Sequence, residues 1–222
     1  MSEAPVPTIA VRGSSTAEVA PELARVHVSV GARSADRAAA LRDLTQRADD
    51  VRTALAAYGE SIEAVDTGTL WARPQFRDDK PRERVTGYLA GVDLTATVVD
   101  FAVLGDLLLR LADRDMVSLR GPFWALRPES DAYRQARIEA VRDARRRAEE
   151  YAAAAGARLT GLVEIADTGL SHPEGVVPMA AGAFRATAGS AADEVSFDVE
   201  PVPQTVHAAV EARFTATQPE FS

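Results

Sequence analysis

Three segments of the chain alternate apolar and polar residues with a period of two, and this pattern constrains the fold most. Apolar side chains occupy every second position in 24–30, 88–98 and 206–214. Successive side chains of a β-strand point to opposite sides, so these segments predict strands with one buried and one solvated face. The strand at 206–214 is among the clearest, with Val206 and Phe214 facing in and His207 facing out.

Apolar residues recur every three to four positions in two long segments and one short segment, which predicts amphipathic helices. We expect the long helices at 34–58, capped by Ser34, and at 129–155, and a short helix after Asp100. The expected buried residues are Leu41, Leu44, Ala48, Val51, Leu55 and Tyr58 in the first helix, Phe101, Leu104, Leu108 and Leu111 in the short one, and Val141, Ala144, Ala148, Tyr151 and Ala155 in the last.

Further strands are predicted at 61–73, 116–127 and 157–169, the first of them in a long hairpin with the strand at 88–98. Pro122 lacks a backbone donor, which places its strand at a sheet edge or next to a bulge at Gly121. The sequence therefore predicts an α+β fold of mixed, mainly antiparallel sheets packed against two long helices and one short helix.

Composition excludes several classes of protein. The formal net charge of -8 opposes a phosphate backbone over most of the surface, so we expect no nucleic-acid or anionic-lipid partner. The chain has no cysteine, which removes disulfides, thiolate metal sites and thiol nucleophiles. No segment is a signal peptide or a run of ~18 apolar residues, so we expect a cytoplasmic protein without a membrane span.

Candidate catalytic and metal sites are weak. His27 and His207 fall on the polar faces of two predicted strands and would approach a metal only if those strands were neighbours. The six arginines between Arg134 and Arg147 share their helix with six acids, which favours ion pairs on a solvated face over an anion site. The side chains of adjacent acids, such as Asp49 and Asp50 or Asp78 and Asp79, point in different directions, so we expect them to lie on the solvated surface. With no nucleotide or hydrolase motif present, we expect no enzyme activity, no catalytic residue, no cofactor and no metal.

The segment 170–194 is rich in Gly, Ala, Ser and Pro, and we expect a flexible loop there. It also carries an apolar set whose two open interpretations are packing back onto the domain and contact with another subunit: Val176, Val177, Met179 and Phe184. Under the second interpretation, deletion of 172–192 weakens assembly and leaves the fold intact.

Four stretches, in this order and spacing, resemble the SIMPL-domain family. They are "VDTGTLWARPQF", "VTGYLAGVDLTATVVDFAVLGDLLLRL", "AYRQARIEAVRDARRRAEEYAAAAGARLTGLVEI" and "VHAAVEARFTAT", and the resemblance covers roughly 8–217. It implies a mixed α and β fold and, for some bacterial members, ring-like or channel-like homo-oligomers at the cell envelope. Other members are linked to oxidative-stress defence, and the family brings no established catalytic residues. This chain departs from the bacterial pattern in its N-terminus and in having "EPVPQT" before the last strand.

The resemblance divides the chain into tails at 1–7 and 218–222 and a SIMPL domain at 8–217, with a possible subdomain at 85–156. Our first hypothesis is a non-enzymatic oligomeric scaffold or interaction module, with a homo-oligomer or another protein as partner and a role in stress as one possibility. The alternative is a small-ligand-binding protein or an enzyme of unrecognised type, with a pocket between the sheet and the loop at 170–194. Trp71, Tyr88 and Trp124 are the aromatic residues that would line it.

Overall fold

A computed structural model describes residues 6–76, 85–167 and 199–220, which divide into two units. One unit is a β-sheet with two α-helices and the other is a β-sheet with one α-helix. The strands are Thr8–Val19 (β1), Leu23–Ser34 (β2), Ile62–Phe76 (β3), Val85–Val98 (β4), Val117–Ala125 (β5), Leu159–Asp167 (β6) and Gln204–Ala216 (β7). The α-helices are Arg37–Ala56 (α1), Leu104–Ala112 (α2) and Asp131–Ala154 (α3). The predicted α+β class is confirmed.

The four-stranded unit contains β2, α1, β3, β4, α2 and β5. Its sheet has the order β3-β4-β2-β5, and every neighbouring pair is antiparallel. A β-α-β-β-α-β chain in this strand order is the split βαβ arrangement. Both helices pack on the same face, α1 over β2 and β4 and α2 against β5, so the opposite face, called the open face below, carries no helix.

The core of the four-stranded unit lies between the helices and the inward face of the sheet. Alternate residues of β2 and β4 are buried, as the period-two pattern predicts, and Val28 and Leu94 are completely inaccessible. The helices contribute leucines such as Leu55 and Leu107. Each fully buried leucine or valine side chain stabilises the fold by about 1.5–3 kcal/mol relative to exposure.

The start of α1 differs from the expectation. Ser34 is the last residue of β2, and Asp36 is the N-cap, with a side-chain oxygen that accepts a hydrogen bond from the Ala39 N–H at 2.8 Å. An aspartate carboxylate satisfies a free helix N–H as well as a serine hydroxyl does, so the prediction was two residues early. Asp100, in contrast, caps as predicted: it accepts from the Ala102 N–H at 3.1 Å at the start of the 3-10 turn Phe101–Val103, which leads directly into α2.

β5 is an edge strand, and its pairing with β2 shifts register between Arg25 and His27, opposite the Gly121–Pro122 segment. The edge position and the bulge that were expected from Pro122 are therefore both confirmed. Gly121 has φ of 118°, which only glycine adopts without strain, and a Cβ there would lie 2.7 Å from the Arg25 carbonyl oxygen.

The three-stranded unit contains β1, α3, β6 and β7, with the antiparallel sheet order β1-β7-β6. The sequence analysis did not predict β1, which pairs with β7 along its whole length. α3 lies across β1 and β7. It can approach β1 closely because Gly13 has no side chain: a Cβ there would lie 2.7 Å from the Ala144 Cβ and closer still to the helix backbone.

The buried side of α3 is a row of alanines at every fourth position, and the predicted set was wrong in detail. Ala144 and Ala148 are buried as expected, whereas Val141 is half-buried and Tyr151 is 61% exposed. The buried row is Ala136, Ala140, Ala144, Ala148 and Ala152. Small side chains let the helix axis lie close to the sheet, so the larger residues are displaced to the flanks.

The boundary between the units falls between 127 and 128, inside the possible subdomain at 85–156. Residues 85–127 belong to the four-stranded unit and residues 128–156 to the three-stranded unit. In the part of the chain that is described, no helix has both the length and the apolar character to cross a membrane.

Candidate interaction surface

β6 exposes a cluster of apolar side chains. It forms one edge of the three-stranded sheet, and Leu162, Val163 and Ile165 are 55%, 54% and 45% exposed. Edge strands carry unpaired backbone N–H and C=O groups, and proteins protect them with lysine, proline or a covering element. β6 has no lysine, arginine or proline, so the acids Glu164 and Asp167 are the only charged side chains along this edge.

The exposure of β6 follows from the position of α3. Leu162 lies opposite Phe214, and Ile165 lies opposite Ala212, so both point to the helix-bearing side of the sheet. α3 covers β1 and β7 and leaves an open cleft of about 520 Å³ beside Ile165, Val141 and Arg137. One apolar side chain of β6, Ile165, therefore borders a cleft that no described segment fills.

The opposite side of the three-stranded sheet is polar. Arg12 donates to Glu211 at 2.9 Å, and these two residues line a shallow cavity of about 420 Å³ together with Glu164 and Arg213. Glu164 and Arg213 are cross-strand partners. Opposite charges on neighbouring strands make this side a solvated surface, so the apolar contact area of β6 is restricted to its edge and its helix-bearing side.

Asp143 holds α3 on β1. Its carboxylate accepts a hydrogen bond from the Ser14 N–H at 3.0 Å and forms ion pairs with Arg146 and, at 2.9 Å, with Arg147. Ser14 lies in an edge strand, so its N–H has no strand partner on that side. The bond from Ser14, with smaller contributions from the two arginines, holds the pKa of Asp143 below its usual range.

Asp143→Asn is expected to lower the free energy of unfolding by about 1–2 kcal/mol at pH 7, because the amide loses the charge-assisted bonds. The folded-state pKa of Asp143 is depressed, so its contribution is present above the unfolded pKa of ~3.9 and is lost as the pH falls through the folded value. Urea unfolding followed by circular dichroism at pH 7 and at about pH 2.5 measures this. An equal difference between parent and variant at both pH values would contradict it.

The two histidines lie in different sheets. β2 pairs with β4 and β5, and β7 pairs with β1 and β6, so the condition for a shared metal site is not met. His27 Nδ1 lies 3.0 Å from the Thr95 hydroxyl, and His207 Nδ1 lies 2.9 Å from the Thr16 hydroxyl. Across the described ranges, no cluster of three metal-ligating side chains occurs.

Five of the six arginines of α3 are ion-paired along the helix, as predicted. Arg142 pairs with Glu139 at 2.6 Å and Arg145 with Glu149 at 2.7 Å, at spacings of three and four residues. Of the adjacent acids on α1, Asp49 pairs with Arg52 at 3.0 Å and Asp50 accepts from Gln46 at 3.0 Å. These charges form a solvated surface and no site.

The aromatic residues proposed to line a pocket lie on opposite faces of the four-stranded sheet. Tyr88 and Trp124 pack against the helix-side core, and Trp124 meets Phe101 edge to face. Trp71 lies over Gly91 on the open face. The three side chains therefore do not surround one cavity.

The predicted oligomer contacts and the loop at 170–194 that contains them lie outside the described residues. These contacts are Val176, Val177, Met179 and Phe184. Asp78, Asp79 and His172 also lie outside the described residues.

The sequence analysis did not identify the exposed apolar residues of β6 as a contact surface. The apolar side chains of Leu162, Val163 and Ile165 would by themselves predict that these residues are buried. The signal that was available is the lack of a lysine or proline in a strand this apolar.

Comparison with known proteins gives one family. The profile of the SIMPL family (DUF541), described as proteins of unknown function, matches residues 9–214. Comparison with curated proteins finds no significant match. A solved structure of a Burkholderia cenocepacia protein, described as a candidate amidohydrolase/peptidase, is similar with 15% identity and a TM-score of 0.27 over 50% of this chain and 30% of that one. Because the family match spans nearly the whole sequence and agrees with the resemblance of the four stretches, the chain belongs to the SIMPL family.

Proposed function

We propose that this SIMPL protein is a non-enzymatic interaction module that forms a homo-oligomer through antiparallel pairing of β6 with β6 of a second copy. The observation that carries the proposal is the edge position of β6 in the described sheet, with Leu162, Val163 and Ile165 about half exposed. Pairing two such edges satisfies the backbone groups of both strands and buries the apolar side chains.

One register satisfies both the side-chain orientation and the charge. With Leu162 opposite Ile165 of the partner subunit, apolar residues meet on the helix-bearing side, and Gly161 lies opposite Ala166 on the other side. In the same register, Glu164 faces Val163 and Asp167 faces Thr160. No acidic residue then lies directly opposite another; the two Glu164 residues are diagonal neighbours beside the two-fold axis.

Leu162→Lys is expected to convert the oligomer into a monomer of 23.7 kDa, because the lysine charge would be buried against Ile165 of the partner subunit. Light scattering coupled to size exclusion at tens of micromolar measures the mass. Ala17→Lys is the matched control, since Ala17 is exposed on β1, the other edge of the same sheet. A monomeric parent, or loss of assembly in both variants, would refute pairing through β6.

A further inference from the structure

Four arginines on the open face of the four-stranded sheet form no ion pair with any residue in 6–76, 85–167 or 199–220. They are Arg25 and Arg33 on β2, Arg73 on β3 and Arg120 on β5, and all four are exposed. Among the described strand residues, the acids on this face are Asp66 and Asp93, and Asp93 accepts a bond from Ser29. A chain with a net charge of -8 therefore has one locally basic face.

Two aromatic side chains accompany these arginines. Phe123 is 37% exposed and contacts the His27 ring at 5.0 Å, with Arg25 as its strand partner. Trp71 is 38% exposed, and the Arg73 guanidinium lies 4.9 Å from its ring centroid. Each end of the open face thus combines a planar ring with a cation.

The distance between the two aromatic groups sets the size of the ligand. Phe123 pairs with Arg25, whereas Trp71 lies over Gly91, which pairs with Gly31. Six residues separate Arg25 from Gly31 along β2, about 20 Å at the rise of an antiparallel strand. A single nucleotide is too small to contact both groups, but a strand of several nucleotides can.

We propose that the open face binds single-stranded nucleic acid, with the four arginines on phosphates and with Phe123 and Trp71 stacking bases. Stacking on aromatic rings requires unpaired bases, so a duplex is not the expected ligand. By analogy, RNA-recognition modules also bind single strands on the exposed aromatic face of a four-stranded sheet. The expectation that the chain has no nucleic-acid partner was based on its net charge, which is a property of the whole chain. On the open face the charge is locally positive, so that expectation does not apply there.

The test is fluorescence anisotropy of the full chain with labelled single-stranded oligo-uridine and oligo-thymidine of about twelve nucleotides. Four neutralised phosphates predict a slope of about -3 for the logarithm of affinity against the logarithm of salt concentration. Arg25→Gln combined with Arg120→Gln is expected to weaken binding about tenfold and to halve this slope. Phe123→Leu and Trp71→Leu are each expected to weaken binding about fivefold with the slope unchanged.

The control removes two arginines from the ion-paired surface of α3, Arg142→Gln with Arg145→Gln, and is expected to bind as the parent does. Circular dichroism verifies that each variant is folded. The proposal is overturned if the parent does not bind at low salt, if the control loses as much affinity as the open-face variant, or if the aromatic variants bind unchanged. Equal competition by inorganic polyphosphate or by duplex of the same sequence also overturns it, because either result means attraction of polyanions without stacking.

Discussion

Gly13→Ala is expected to destabilise the three-stranded unit by about 3–5 kcal/mol. A Cβ at this position would lie 2.7 Å from the Ala144 Cβ and closer still to the backbone of Ala140 and Ala144. Backbone atoms of a helix cannot rotate away as a flexible side chain can. The methyl group must therefore move α3 away from β1 and loosen the alanine row along its length.

Gly161→Ala is the matched control for Gly13→Ala, because it makes the same chemical change in the same sheet. Its Cβ would meet only the Thr215 hydroxyl, at 3.1 Å, and a change of less than about 1 kcal/mol is expected. Urea unfolding followed by the helical signal in far-ultraviolet circular dichroism measures both variants. Equal losses of stability would mean that close helix packing does not stabilise this unit.

Leu94→Ala is expected to lower the stability of the four-stranded unit by about 3–4 kcal/mol. Leu94 is completely buried under α1 in the central strand β4, so truncation removes apolar contacts and leaves a cavity. Thr95→Ala changes the next residue, which lies on the open face and bonds to His27, and should cost less than about 1 kcal/mol.

Both β4 variants can be followed by tryptophan emission, since both tryptophans, Trp71 and Trp124, belong to this unit. If Thr95→Ala proves as damaging as Leu94→Ala, the open face is covered, and the assignment of one buried and one solvated face is wrong.

The sequence was sufficient to predict the buried residues of a strand where one side of that strand is uniformly apolar. β2 alternates without interruption and its inward residues are buried as predicted; those of β4 and β7 are buried too, except that Tyr88 and Ala208 are half-buried. β1 was missed because Gly13 and Ser15 occupy positions on its helix-facing side, which interrupts the apolar pattern. The alanine row of α3 was misassigned for a related reason: alanine occurs on every side of this helix, so periodicity alone does not select the buried side.

The candidate surfaces depend on tertiary structure that no local pattern contains. β6 was predicted as a strand, but its exposure arises because α3 lies mainly over β1 and β7. The basic open face arises from the register of the sheet, which places Arg73 of β3 and Arg120 of β5 on the same side as Arg25 and Arg33 of β2. The ion pairs of α3 were predictable, since they depend only on helical spacing.

The central claim, pairing of β6 in one register, is tested most directly by disulfide crosslinking, because the chain has no cysteine of its own. In the variant Leu162→Cys with Ile165→Cys, each new thiol should lie opposite the other residue of the partner subunit, with Cα atoms about 4.5–5.5 Å apart. Within one chain, the two positions are about 10 Å apart along β6 and cannot bond. Mild oxidation should therefore give a covalent dimer in high yield from the double variant and little from Leu162→Cys alone. The absence of a covalent dimer, or equal yields from the single and double variants, would contradict the account.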